Sequence, residues 1–208
     1  MFICDSQVHI WGKETEKRPW APGGRELVRE MGHRQEPIGY EELKNLMDEA
    51  GVHRALIVPP TWDMDRNDLG LEAAVKYPDR FGLISRVPLL NPKVGKEVLY
   101  KLQDIPAAKG VRLTFFRKEE ATWLFDGTAD WYWPLAEELG VPTMIHAAKF
   151  APQVAEIAQT FPNLRLILDH MGVPGGTKDD DCRPYVAGTV GLARFANISV
   201  KLSSLPAK

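Results

Sequence analysis

The sequence predicts an α/β fold built on a parallel sheet covered by helices, either an open doubly wound sheet or a closed barrel. Two observations carry this. Seven short β-rich apolar runs recur along the chain, at Phe2 to Cys4, Ala55 to Val58, Phe81 to Ile84, Val111 to Phe115, Thr143 to Ile145, Leu164 to Leu168 and Ile198 to Leu202. Segments with helical spacing lie between them: Leu43, Leu46, Met47 and Ala50 follow i, i+3, i+4, i+7, and so do Val154, Ile157, Ala158 and Phe161. The strand that opens the chain is followed by Ser6-Gln7-Val8-His9-Ile10-Trp11, which has none of the glycines of a phosphate-binding turn. That absence weighs against the open nucleotide-binding sheet.

Taken in order, each element has a local reason. Residues 12 to 39, with six Lys+Arg and five Asp+Glu among Gly and Pro, read as a long loop or lid after strand one. Gly51 and Gly140 stand just past the ends of two helices, where a left-handed residue closes the last turn, and Pro134 and Pro152 lie near the first turns of two others. Gly172 to Lys178 superficially resembles a phosphate loop, but its glycine spacing is wrong and Pro174 removes a needed N–H. It reads as an ordinary βα loop. A barrel of eight strand–helix units takes about 250 residues, and this chain reaches its seventh strand just before residue 208. The expected domain is therefore residues 1 to 208 as a single (β/α)8 TIM-type barrel, truncated after the seventh strand.

Composition narrows the function classes. The chain has 26 Lys+Arg against 28 Asp+Glu, 44% apolar residues and no basic run, so no nucleic-acid partner is expected. Cys4 and Cys182 are too few for a disulfide framework, and the apolar runs fall far short of the ~20 residues of a membrane span. No signal peptide is read at the N-terminus, so a soluble cytoplasmic protein without a membrane partner is expected.

Three of the five histidines, His9, His146 and His170, stand at or just past the C-terminal ends of strands one, five and six, the functional end of a parallel barrel. Three imidazoles and a water complete a catalytic Zn²⁺ sphere, which makes this trio the candidate metal set. His33, in the long loop, and His53, before strand two, receive no role. Alternation places Asp5, Gln7 and His9 on one face of strand one, with Gln7 a hydrogen-bonding residue that orients substrate and Asp5 buried below the site. Arg86, Arg112 and Lys201 put cations on three further strands, and unpaired charge there is costly, so they point to an anionic small-molecule substrate. Asp169 alternates with His170 and is expected to face the helices. Tyr40, Trp20 and Trp62 are candidate pocket walls, for each of which ordinary packing is the simpler account.

Asp5-Ser-Gln-Val-His9-Ile-Trp11, Lys109-Gly-Val-Arg112-Leu, Gly140-Val-Pro-Thr-Met-Ile-His146-Ala, Asn163-Leu-Arg-Leu-Ile-Leu-Asp-His170-Met-Gly and Asn197-Ile-Ser-Val-Lys201-Leu-Ser203 occur in this order along the whole chain. Together they resemble the amidohydrolase-related branch of the amidohydrolase superfamily, which holds dicarboxylate lactonases, aldonolactonases and decarboxylases. The resemblance implies a (β/α)8 barrel with its site at the C-terminal ends of the strands. It implies a hydrolase acting on a small carboxylated lactone, or a related ester or amide, through His9, His146 and His170. The alternatives are a metal-dependent non-oxidative decarboxylase and a catalytically silent binding homologue. Two departures stand out: Gln7 replaces the first histidine of the family's His-x-His pattern, and the aspartate of strand eight has no counterpart here. Gln7 favours the metal-independent route known in some lactonases of the branch over a bound Zn²⁺. The missing aspartate leads to the expectation that the 208-residue chain alone is weakly active. A homo-oligomer is compatible with all of this.

Overall fold

A computed structural model describes residues 1 to 32 and 34 to 203. His33, to which the sequence assigned no role, lies outside the described residues. The chain divides into two compact units, Met1–Arg86 with Leu102–Lys109, and Val87–Lys101 with Gly110–Lys208.

In the first unit, strands β1 (Cys4–Val8), β2 (Arg54–Ile57) and β3 (Phe81–Ser85) pair in parallel in chain order. β1 is where sequence and structure part most clearly. The apolar run at Phe2 to Cys4 predicts a strand one turn of pleat too early, and the register between β1 and β2 shifts between Asp5 and Val8. The shift breaks the alternation that was to bury Asp5: Asp5 is exposed, and its carboxylate accepts the backbone N–H of Gln7 at 2.9 Å. Helix α1 (Gly24–Met31) occupies the middle of the segment expected to be a loop. Val28 is buried and Arg18 holds the segment down, its guanidinium donating to Asp63 at 3.0 Å and to Asp68 at 2.8 Å. Burial pushes the Asp63 carboxyl up, and the Arg18 bonds offset part of that cost. Helix α2 (Tyr40–Glu49) buries Leu43 and Met47, and α3 (Asp68–Lys76) buries Ala73 and Ala74, around Ala55, Ile57 and Phe81 of the sheet. Gly51 takes φ +68° as its position after α2 predicts, while the N–H of Val52 reaches back to the Met47 carbonyl at 2.8 Å.

In the second unit, β4 (Ala108–Thr114), β5 (Thr143–His146), β6 (Leu166–Leu168) and β7 (Ile198–Val200) pair in parallel in chain order. Helices α4 (Pro92–Gln103), α5 (Tyr132–Glu138), α6 (Ala151–Thr160) and α7 (Arg183–Val190) connect or flank them. The helical spacing read around Val154 and Ile157 is the buried face of α6, and Gly140, at φ +64°, follows α5 as expected. The core holds Val111, Leu113, Ile145, Leu166, Leu168 and the fully buried Tyr132, whose hydroxyl is paired with Thr143 at 2.8 Å. Burial raises the Tyr132 phenol well above its ordinary range, so it stays a neutral packing group. Among the described residues no helix is long and apolar enough to cross a membrane.

Candidate active site

The parallel register of the second unit sets three strand ends side by side. His146 is the last residue of β5, Asp169 and His170 directly follow β6, and Lys201 directly follows β7, with Leu168 opposite Val200. Arg112 lies two residue pairs lower on β4, opposite Met144, while Thr114 is opposite His146.

These side chains form one charged cluster. Arg112 Nε donates to Asp169 Oδ2 at 2.7 Å and Lys201 Nζ lies 3.0 Å from Asp169 Oδ1, with all three groups buried. Burial by itself would raise the Asp169 carboxyl, but the charges of Arg112 and Lys201 outweigh it and hold the group well below the usual carboxylate range. Asp169 is thus a fixed anion, and two expectations change. It faces the charged cluster and not the helices, because β6 stops at Leu168 and strand alternation no longer applies beyond it. Arg112 and Lys201 also carry a structural ion pair, so the inference from unpaired charge to an anionic substrate loses its premise for both.

The turn that places Asp169 is strained. His170 and Met171 sit at φ 54° and 56°, a left-handed conformation that costs an L-residue roughly 1–2 kcal/mol. Gly172 continues it at φ +66°. The turn is held by three bonds: the Met171 carbonyl accepts from Thr189 Oγ1 at 2.6 Å, its N–H donates to the Lys201 carbonyl at 3.2 Å, and Val173 N–H reaches the His170 carbonyl at 3.1 Å. Consecutive strained residues held by packing are a mark of functional turns.

The two histidines of this unit lie with ring centroids 5.2 Å apart and planes at 90°. His146 lies against Phe116, at 4.9 Å, and its Nδ1 is 3.4 Å from Arg112 Nη2. A guanidinium only donates, so Nδ1 accepts and the neutral ring carries its proton on Nε2. His170 Nδ1 is hydrogen-bonded to Ser203 Oγ at 2.8 Å. Ser203 and Asp169 are the members of this cluster that sequence reasoning missed; the glycine three residues after Asp169, a left-handed residue in waiting, was the one signal of a turn there.

The first unit holds its own polar group. His9 Nδ1 lies 2.6 Å from the Val58 carbonyl, which only accepts, so the neutral His9 ring keeps Nε2 unprotonated, with Gln7 Nε2 3.5 Å from it. His9 and His146 therefore present opposite tautomers. Trp62 packs at 6.4 Å from His9 and Trp11 lies edge-on to Trp62 at 5.3 Å. Arg86 is buried, donates to Thr61 Oγ1 at 3.2 Å, and is clamped through its backbone by both ends of the Asn67 amide. Of the candidate walls, Trp20 is half-buried with its N–H on the Gly12 carbonyl, and Tyr40 belongs to a surface cluster with Glu72, Lys76 and Tyr77. His53 is exposed and its Nδ1 accepts the Ile3 N–H at 3.2 Å.

Among the described residues no three His, Cys, Asp or Glu side chains are grouped to hold a metal ion. The carboxylate of the second unit is already committed to two cations, and Arg112 borders His146. The expected metal set of His9, His146 and His170 thus gains no three-donor group among the described residues.

Comparison with known proteins places the chain. The profile of the Amidohydrolase family matches residues 4–207, so the chain belongs to that family. It is 21% identical over 209 residues to an L-fucono-1,5-lactonase of Burkholderia ambifaria, covering 98% of this chain and 68% of that protein. Among solved structures it is similar to a probable 2-pyrone-4,6-dicarboxylic acid hydrolase from Acinetobacter baumannii with citric acid bound, at TM-score 0.70 and 19% identity over 98% of this chain and 71% of that one. It is similar also to an amidohydrolase from Burkholderia multivorans with bound zinc, at TM-score 0.73 and 17% identity over 99% and 70%. A TIM-barrel protein from Bordetella bronchiseptica gives TM-score 0.66 at 14% identity over 97% and 75%. The fold is a (β/α) barrel type with seven strands described, as the sequence predicts.

Proposed function

We propose that this amidohydrolase-family enzyme hydrolyses a small carboxylated lactone, with His146 polarising the scissile carbonyl from Nε2–H. The observation that carries the reading is the contact between Arg112 and His146 Nδ1. It commits the neutral imidazole to one tautomer, so a hydrogen-bond donor stands fixed at the strand end without waiting for a proton. Donors fixed in advance at the position where an oxyanion develops are the largest single contribution to acyl-transfer catalysis. His170, tied to Ser203, is the proposed second donor to the substrate. An acidic substrate is part of this proposal, with Arg112, Lys201 and Arg86 as the groups proposed to hold it and Gln7 as an orienting group. His9 belongs to the catalytic set on the strand-one pattern and on the Nδ1 contact with the Val58 carbonyl that fixes its ring.

The similarity to an L-fucono-1,5-lactonase supports the lactone as substrate, and the decarboxylase is the alternative that the test must separate from it. The activity proposed is that of the whole protein. The test is a panel of aldono-1,5-lactones and carboxylated lactones, assayed by proton release with the wild type and with His146→Ala. Turnover by the wild type and a loss of about 10²–10³ in kcat in the variant are expected. A wild type that opens no lactone but releases CO₂ from aromatic acids would replace this reading with the decarboxylase. A wild type that binds ligand and turns over neither would replace it with a silent homologue.

A further inference from the structure

The second unit holds a cavity of about 150 Å³ between the loops that follow β5 and β6 and the helices α6 and α7. Ala151 of α6 and Gly188 of α7 both line it, and the helices approach so closely there that a Cβ on Gly188 would lie 3.3 Å from that of Ala151. Leu168 and Thr189, both buried, line its inner part, and the Thr189 hydroxyl is already committed to the Met171 carbonyl. Tyr185, half-buried, and Lys149, exposed, line it too. The cavity therefore runs from a cationic, solvent-facing edge to an apolar floor. Among the described residues neither the Lys149 ammonium nor the Tyr185 hydroxyl meets a hydrogen-bond partner. Lys149 also holds φ 76°, where glycine is the ordinary choice and an L-residue is strained by roughly 1–2 kcal/mol, and its N–H reaches the Gly172 carbonyl at 3.4 Å. A loop that needed only this turn would be served without strain by glycine. The reason for a lysine there lies in its side chain.

We infer that this cavity is a binding site for a small monocarboxylate with a compact apolar body, its carboxylate held by Lys149 Nζ and the Tyr185 hydroxyl and its body set against Leu168. The lining selects this class. A neutral apolar molecule the size of benzene suits a cavity of about 150 Å³ but leaves the ammonium without a counter-charge. An inorganic anion answers the ammonium and the hydroxyl but covers none of the apolar wall. Ordered water needs two to four polar partners per molecule, which alanine, glycine and leucine side chains do not supply. A carboxylate on a small ring or branched chain meets both ends at once. The inference goes beyond the lactonase reading and does not rest on it.

The test is an NMR titration of the 208-residue chain with cyclopentanecarboxylate, with its neutral analogue cyclopentylmethanol, and with acetate, which has the charge without the body. Cyclopentanecarboxylate is expected to bind the wild type about tenfold more tightly than either of the others, since each lacks one of the two interactions. Lys149→Met keeps the stem and removes the charge, and is expected to weaken the acid about tenfold while leaving the alcohol unchanged. Gly188→Leu fills the cavity from α7 and is expected to abolish binding of the acid. His146→Ala is expected to leave it unchanged, because the site is not the histidine cluster. Absence of binding by the wild type, equal affinities for the acid and the alcohol, or an unchanged affinity for the acid in Lys149→Met would overturn the inference. So would binding that is lost in His146→Ala and kept in Gly188→Leu, which would place the ligand among the histidines. Should Gly188→Leu not fold, Lys149→Met and His146→Ala decide the matter between them.

Discussion

At the scale of single residues, Gly172 shows how little room the site leaves. Its φ of +66° lies where only glycine is unstrained, and a Cβ added there would stand 2.8 Å from Thr189 Oγ1. That hydroxyl is committed to the Met171 carbonyl. Gly172→Ala therefore adds backbone strain and displaces the bond that holds the turn under His170. A loss of about 2–3 kcal/mol is expected, from the left-handed penalty and one disturbed hydrogen bond together, to be read as a lowered urea midpoint with an unchanged slope. A variant as stable as the wild type would show that the turn is not constrained in this way. The same residue explains why Asp169 was misread from sequence. Alternation is a property of extended backbone, and three consecutive left-handed residues follow Asp169. Nothing in residue type at His170 or Met171 announces a left-handed turn, because both normally avoid it, and the bonds that compensate come from Thr189 and Lys201 farther along the chain.

At the scale of elements, β4 and β5 owe their close approach to a glycine. Gly110 faces the Pro142 carbonyl, and a Cβ there would lie 2.5 Å from that oxygen, which accepts the Val111 N–H at 2.9 Å. A backbone oxygen in a ladder cannot swing aside as a side chain can. Gly110→Ala is expected to force the strand ends apart at a cost of about 1–3 kcal/mol. Because Arg112 and His146 are carried on these two strands, it is also expected to lower kcat for the lactone more than Gly172→Ala lowers it at matched temperature below Tm. Thermal melts and steady-state kinetics on the two variants check both parts, and a Gly110→Ala enzyme with full kcat and full stability would contradict the account. Strand and helix positions of this kind were legible beforehand: apolar runs located six of the seven strands to within about three residues, since β-branched residues in short runs bounded by turns leave few alternatives. The exception is β1, where the bulge between Asp5 and Val8 moves the paired segment toward Gln7, and the middle of residues 12 to 39, where eight residues with only Leu27, Val28 and Met31 apolar form a helix too short to register as a periodic pattern.

For the molecule as a whole, Asp169 links the charged cluster to acid stability. Its carboxyl titrates far lower in the folded chain than in the unfolded one. The folded state therefore binds fewer protons, and the stabilisation is fully present above the unfolded pKa near 4 and is lost as pH falls toward the folded value. Asp169→Asn leaves Arg112 and Lys201 buried without their carboxylate and is expected to cost about 3–5 kcal/mol at pH 7. The wild type should lose more stability than this variant between pH 5 and pH 3, so the two urea-denaturation curves converge in acid. Parallel losses in both proteins would mean that other carboxylates, and not Asp169, set the acid limit.

The amino-acid sequence by itself determined the α/β class, the parallel strands and their helices, the caps at Gly51 and Gly140, and the positions of His9, His146 and His170 at strand ends, because each follows from local periodicity and local backbone preference. Only the tertiary structure decided what those strand ends do. Whether Arg112 and Lys201 stand as bare cations or close on Asp169, and which nitrogen of His9 or His146 carries the proton, depend on groups tens of residues apart: Arg112 and Asp169 are separated by 57 positions and His9 and Val58 by 49. Such pairings are set by strand register and by one strained turn. Neither has a signature in the spacing of residues along the chain.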